Sequence, residues 1–147
     1  MKSKRLLKKA KGFTLLEVMV VIVILGILAS MVVPNLLGSQ ERANVQKAVQ
    51  DISALETSLK MYKMDNYDYP TTEQGLEALT AESSIEPVPR RFQEDGYLQR
   101  LPNDPRGNAY QLLNPGEYGK MDVFSMGSDG EAGTDDDIGN WNLADFQ

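Results

Sequence analysis

Apolar positions follow three regimes along the chain. From Phe13 to Val33 they form one run of 21 residues interrupted by a single charge, Glu17. Coiled as a helix, such a run spans about 30 Å, one hydrocarbon thickness. From Gln40 to about Met64 the apolar residues recur at steps of three and four: Val45, Ala48, Ile52, Leu55, Leu59 and Tyr62 share a face opposite Glu41, Gln46, Lys47, Asp51 and Lys60. This spacing predicts an amphipathic helix packed on its own domain. Pro34 and Gly38 lie between the two regimes, and a proline there predicts a bend or local melting of the helix. After Asn66-Tyr67-Asp68-Tyr69-Pro70, which stops the helix, the pattern becomes short and broken. Thr71 or Thr72 is placed to cap a short helix from Glu73 to Leu79. Residues 83–108, with four prolines and two glycines, read as a long irregular loop. Tyr110 to Leu113 and Met121 to Ser125 read as short strands joined by a turn at Asn114-Pro115-Gly116. The elements add up to an α+β fold, with one long helix packed on a small antiparallel sheet.

Charge divides the chain unevenly. Residues 1–12 carry six cations and no acid. The remaining nine Lys and Arg face all 21 acids, so the chain from Phe13 onward has a net charge of −12. A basic leader before an apolar helix stays cytoplasmic, which sends the acidic part across the membrane. An ordinary secretory signal, with Ala29 and Ser30 near its cleavage point, explains neither the Gly-Phe-Thr-Leu-Leu-Glu junction nor the length of the run. A plain anchor leaves Glu17 without a partner, although a carboxylate at that depth costs about 2.5 to 3.5 kcal/mol.

Candidate chemistry is confined to one loop. Cysteine and histidine are absent, so the usual Ser-His and Cys-His nucleophile pairs are unavailable, and no glycine-rich phosphate loop is present. The chain reads as a non-enzyme. The acidic exported part disfavours nucleic-acid binding, and Arg90 and Arg91 read as a small solvated basic spot. Ser125 to Trp141 gathers five acids (Asp129, Glu131, Asp135, Asp136, Asp137) among glycines. Oxygen ligands on a flexible turn suit Ca²⁺, whereas zinc or copper lacks its usual nitrogen and sulfur donors. The loop is not an EF-hand: counted from Asp129, position 6 is Thr134 and position 12 is Asn140. Composition alone admits a solvated acidic turn equally well. Trp141 is expected to pack over this loop.

The segment Lys11-Gly12-Phe13-Thr14-Leu15-Leu16-Glu17 resembles the leader junction of type IV pilins and type II secretion pseudopilins. The resemblance implies that a prepilin peptidase cuts between Gly12 and Phe13 and N-methylates Phe13. It divides the chain into a removed leader, residues 1–12, a transmembrane and assembly helix, 13–34, and a periplasmic globular domain, 35–147. Once freed, the Phe13 amine is a cation in an apolar zone. Glu17, four residues on and read on the same helical face, is placed to pair with the amine of an adjacent copy and so set axial register.

Further blocks resemble the major pseudopilins of type II secretion: Tyr69-Pro70-Thr71-Thr72-Glu73-Gln74-Gly75-Leu76-Glu77-Ala78-Leu79, Asp104-Pro105-x-Gly107-x-x-Tyr110, Gly127-x-Asp129-Gly130 and Asp137-Ile138-Gly139-Asn140-Trp141. That family implies one structural Ca²⁺ in the loop 126–137, held by Asp129 and Asp137, then by Asp135 or Asp136, with the Met126 carbonyl as a backbone ligand. Two positions depart from its pattern. Arg106 stands where an aromatic is common, which puts the packing under that turn in question, and Asp136 stands where a small residue is frequent, so that one acid of the triplet is expected only to add charge. The implied function is that of a homopolymer: a helical periplasmic pseudopilus, built with minor pseudopilins, an inner-membrane assembly platform and a cytoplasmic ATPase, that pushes folded proteins through an outer-membrane secretin channel. The alternative is a surface pilin serving adhesion, motility or DNA uptake. The missing C-terminal cysteine pair and the Asp129–Trp141 loop separate the two.

Overall fold

The computed structural model describes residues 12–146, with the side chains of 32–37 left out. Residues 1–11 of the expected leader 1–12 and the Pro34 side chain therefore lie outside the described residues. The chain divides into two units, 1–40 and 41–147, each described by itself.

One helix, α1, runs from Leu15 to Asn66. It begins where Thr14 Oγ1 accepts the Glu17 backbone N–H at 3.2 Å, an N-cap contact. The Thr-x-x-Glu spacing is that of a capping box, so this start was legible in the residues. Phe13 is thereby left outside the helix, one residue before the cap. The reading that put Phe13 and Glu17 on one helical face needs correction, because the cap starts the helix after Phe13. The helix ends at Tyr67, whose N–H donates to Lys63 O at 2.7 Å with φ at 73°. A left-handed residue is the common way to close a helix, although glycine usually occupies the position.

In the second unit α1 buries the predicted stripe. Ala48, Ile52, Leu55, Leu59 and Tyr62 are buried, and Val45 packs at the edge. Val49 and Ser58 are buried beside them. Opposite lies a three-stranded antiparallel sheet in the order β1 (Gln111–Leu113), β2 (Asp122–Ser125), β3 (Ile138–Gly139). Leu112 pairs with Val123, and Ser125 with Ile138, in the two registers. Leu112, Val123 and Ile138 join the helix stripe in the core, together with Leu76, Leu79, Tyr97 and Tyr110. Each such side chain contributes about 1.5 to 3 kcal/mol by leaving water.

The predicted helix Glu73–Leu79 is shorter and tighter. Thr71 and Gln74 cap one turn reciprocally: Thr71 N–H donates to Gln74 Oε1 at 2.9 Å, and Gln74 N–H to Thr71 Oγ1 at 3.2 Å. Gly75 then turns to φ 64°, and a 3-10 helix follows from Leu76 to Leu79. The β1–β2 connection is longer than the predicted turn and is organised by the buried Asp122, whose Oδ2 accepts the N–H groups of Glu117 and Tyr118. Residues 83–108 form the irregular loop expected.

Candidate functional site

The N-terminal site lies at the start of α1. Gly12 and Phe13 precede the helix in non-helical backbone, and Glu17 sits in its first turn. The apolar side chains around it are exposed: Phe13 is 83 % exposed and Val23 60 %. Among the described residues no helix is long and apolar enough to cross a membrane. The described side chains of the predicted span end at Met31, short of its predicted end at Val33.

The acidic loop joins β2 to β3. Met126 O accepts the Gly130 N–H at 3.1 Å. Asp129 is exposed, and its Oδ1 accepts the Glu131 N–H at 2.8 Å. Asp135 is exposed. Asp136 is the hub of the loop and not merely added charge. Its Oδ2 accepts Ser128 N–H and O–H at 2.6 and 2.7 Å and Asp129 N–H at 3.2 Å, while Oδ1 accepts the Thr134 hydroxyl at 2.7 Å. The hydroxyl bonds of Ser128 and Thr134 hold its carboxyl well below the usual carboxylate range. Asp137 is buried; Oδ2 accepts the N–H groups of Gly133 and Thr134, and Oδ1 is buried with no hydrogen-bond partner. Among the described residues no three acidic side chains converge as a metal cluster. Gly127 has φ 61°, and a Cβ there would collide with Asp136 O. Trp141, expected over this loop, is placed against aromatic neighbours on β2 and before it. It stacks on Tyr118 at 4.3 Å, leans on Phe124 and lies where a Cβ on Gly139 would fall.

A polar chain anchors the loop from below. Asp104, its side chain fully covered, accepts the Ser125 hydroxyl and, at 2.7 Å, the Arg106 N–H. Ser125 Oγ in turn accepts the Gly127 N–H at 3.3 Å. Arg106, mostly covered, reaches across to pair with Glu41 on α1. The Asp104–Gly107 turn is thus packed by an ion pair to α1. Asp122 did not stand out in the sequence, and Asp104 did so only as part of the Asp-Pro-x-Gly block, because its bond to Ser125 spans 21 positions.

A long N-terminal helix, apolar and unpacked in its first half and bound to a small α+β unit in its second, defines a prepilin-type filament subunit. Residues 35–141 match the family described as "Type II secretion system (T2SS), protein G", and residues 7–33 match "Prokaryotic N-terminal methylation motif". The chain is 67 % identical over 140 residues to "Type II secretion system core protein G" of Aeromonas hydrophila, covering 95 % of this chain and 98 % of that one. It is 59 % identical over 136 residues to the protein of the same name in Escherichia coli strain K12, covering 92 % and 94 %. Among solved structures, the major pseudopilin from the type 2 secretion system of enterohaemorrhagic Escherichia coli is similar at 55 % identity and a TM-score of 0.71, over 76 % of this chain and 94 % of that one. The chain belongs to the type II secretion system protein G family and is a structural subunit of the pseudopilus.

Proposed function

We propose that the mature chain begins at a methylated Phe13, is held in the inner membrane by residues 13–34 with its globular unit in the periplasm, and polymerises into a helical pseudopilus whose growth drives folded proteins outward. Minor pseudopilins, an assembly platform and an outer-membrane secretin are its partners. The observation that carries this reading is the exposed apolar run from Phe13 to Leu28, a surface suited to lipid or sister copies. Glu17 supplies the register. Its partner, the freed Phe13 amine, stands before the positive end of its own helix, an unfavourable place for a cation, and a neighbour's carboxylate relieves this. Mass spectrometry of the native N-terminus tests the reading: a methylated Phe13 is expected, and a mature protein starting elsewhere refutes it.

The 126–137 loop is the proposed Ca²⁺ site. The buried, unpartnered Oδ1 of Asp137 fits a hard cation, which would give it the partner it lacks. The Met126 carbonyl, Asp129 and Asp135 would complete the set as the loop tightens. Asp136, with both oxygens occupied by Ser128 and Thr134, shapes the loop instead. Bound Ca²⁺ would neutralise crowded carboxylates and stabilise the folded unit by mass action.

A further inference from the structure

The globular unit exposes several large apolar side chains where α1 ends. Met64 and Tyr67 line a concavity of about 400 Å³ with Arg90 and Arg91. Tyr67 and Arg90 also line the adjoining one, of about 390 Å³, with Val88 and Pro89. Met64 is 81 % exposed and Tyr67 73 %. Exposed Tyr118 belongs to the segment that starts at Asn114, whose amide donates to Tyr69 O and Pro70 O at the same end.

This surface is built stiff. Tyr67 holds a left-handed backbone that glycine or asparagine usually takes, with Arg90 5.6 Å over its ring. Strain kept at an exposed aromatic points to use. Gln74 Nε2 donates to both Ile85 O and Pro87 O at 2.8 Å, fixing the strip that carries Val88 and Arg90. A surface fixed in advance loses little freedom on docking.

The opposite end is acidic. There Arg106 is held by Glu41, and Asn108, in the same turn, lies beside Gly130. Around Gly130 stand exposed Asp129, Glu131 and Asp135, of which Glu131 lies outside the proposed Ca²⁺ ligand set and keeps its charge when that site is filled. The helix from Glu41 to Asn66 separates the two ends by about 39 Å at 1.5 Å per residue. Arg90 and Arg91 are exposed at the apolar end. Asp65 there already accepts bonds from Tyr97 and Gln93, leaving Asp68 as the exposed acid of the groove.

The geometry points to the Met64–Tyr67–Val88 surface, with Arg90 and Arg91, as the docking face for the acidic end of a second copy around Glu131. A patch that meets a different patch on its copy makes a contact that repeats without closing, as a filament requires. The inference deepens the polymerisation reading and rests on it.

The chain has no cysteine, so its contacts are open to cysteine mapping. The test uses full-length chains carrying Met64→Cys and Glu131→Cys, assembled into filaments and treated with a short bismaleimide. Both positions are exposed, so the fold tolerates them. A ladder of crosslinked subunits is expected from the double variant and from neither single variant. Filaments that form normally, give no ladder and leave Cys at 64 open to a bulky maleimide overturn the inference. Crosslinks to an exported protein in place of a subunit overturn it too. If the unaltered chain forms no filaments, polymerisation itself fails instead.

Discussion

Replacing Gln74 tests how the loop of residues 83–89 is held. Gln74 is buried, and its amide makes three bonds, two given to the carbonyls of Ile85 and Pro87 and one accepted from Thr71 N–H. Gln74→Met removes all three. At about 0.5 to 1.5 kcal/mol net per bond, and with carbonyls on an exposed strip that regain water, the loss is about 2 kcal/mol. Gln74→Glu keeps the shape and reverses the chemistry. A carboxylate would face two carbonyl oxygens, so the folded state favours the protonated acid; holding a glutamic acid of ordinary pKa 4.3 protonated at pH 7 costs about 3.7 kcal/mol. The folded-state pKa is raised, so the variant is most stable below pH 4.3 and loses stability as pH rises. Urea unfolding of the full chain in detergent, followed by Trp141 fluorescence at pH 4.5 and pH 7, measures both. Gln74→Glu is expected to be the less stable variant at pH 7 and to recover at pH 4.5. Equal stability of the two at pH 7, with no recovery in acid, would refute the assigned bond pattern.

Three further outcomes are expected. Chelator lowers the melting temperature of the wild type and added Ca²⁺, not Mg²⁺, restores it, while Asp137→Asn removes the response; an unchanged melting curve in chelator counts against the metal. Gly127→Ala, at φ 61° and against Asp136 O, loses about 2 kcal/mol or more in thermal unfolding. Burial, then the bond to Asp65, pushes the Tyr97 hydroxyl up to about 12; the folded state thus holds this proton longer than the unfolded chain, so stability present below pH 10 falls as pH rises from 10 to 12. Tyr97→Phe makes that part of the pH–stability curve shallower, as urea titrations across the range will show.

What was legible in the residues was periodic or local. The stripe from Val45 to Tyr62 declared its helix because each apolar residue repeats the surface of the last. Strands β1 and β2 were placed to within a residue at their starts. Strand β3 was missed because two residues, Ile138 and Gly139, carry no period and follow three acids. The Thr71–Gln74 cap was half read, since Thr72 offered the same chemistry and only the fold sends it to Asn114. In the acidic loop the cluster of acids was visible, but not the division of labour. Asp136 and Asp137 are neighbours in sequence, yet one spends its oxygens on Ser128 and Thr134 and the other keeps one oxygen buried and bare. Arg106 looked like a misfit until its partner on α1, 65 positions away, was in view.

Strand β3 comes late in the chain. Ile138 is only nine positions from Gln147, and near it Gln46 Nε2 ties down Phe146 O at 2.7 Å, a contact spanning 100 positions. The core therefore lacks its third strand until Ile138 has been translated and has emerged. A nascent chain stalled short of that point would expose Val123 and Leu59 to chaperones, and truncation before Ile138 would remove not a tail but the closing plank of the domain.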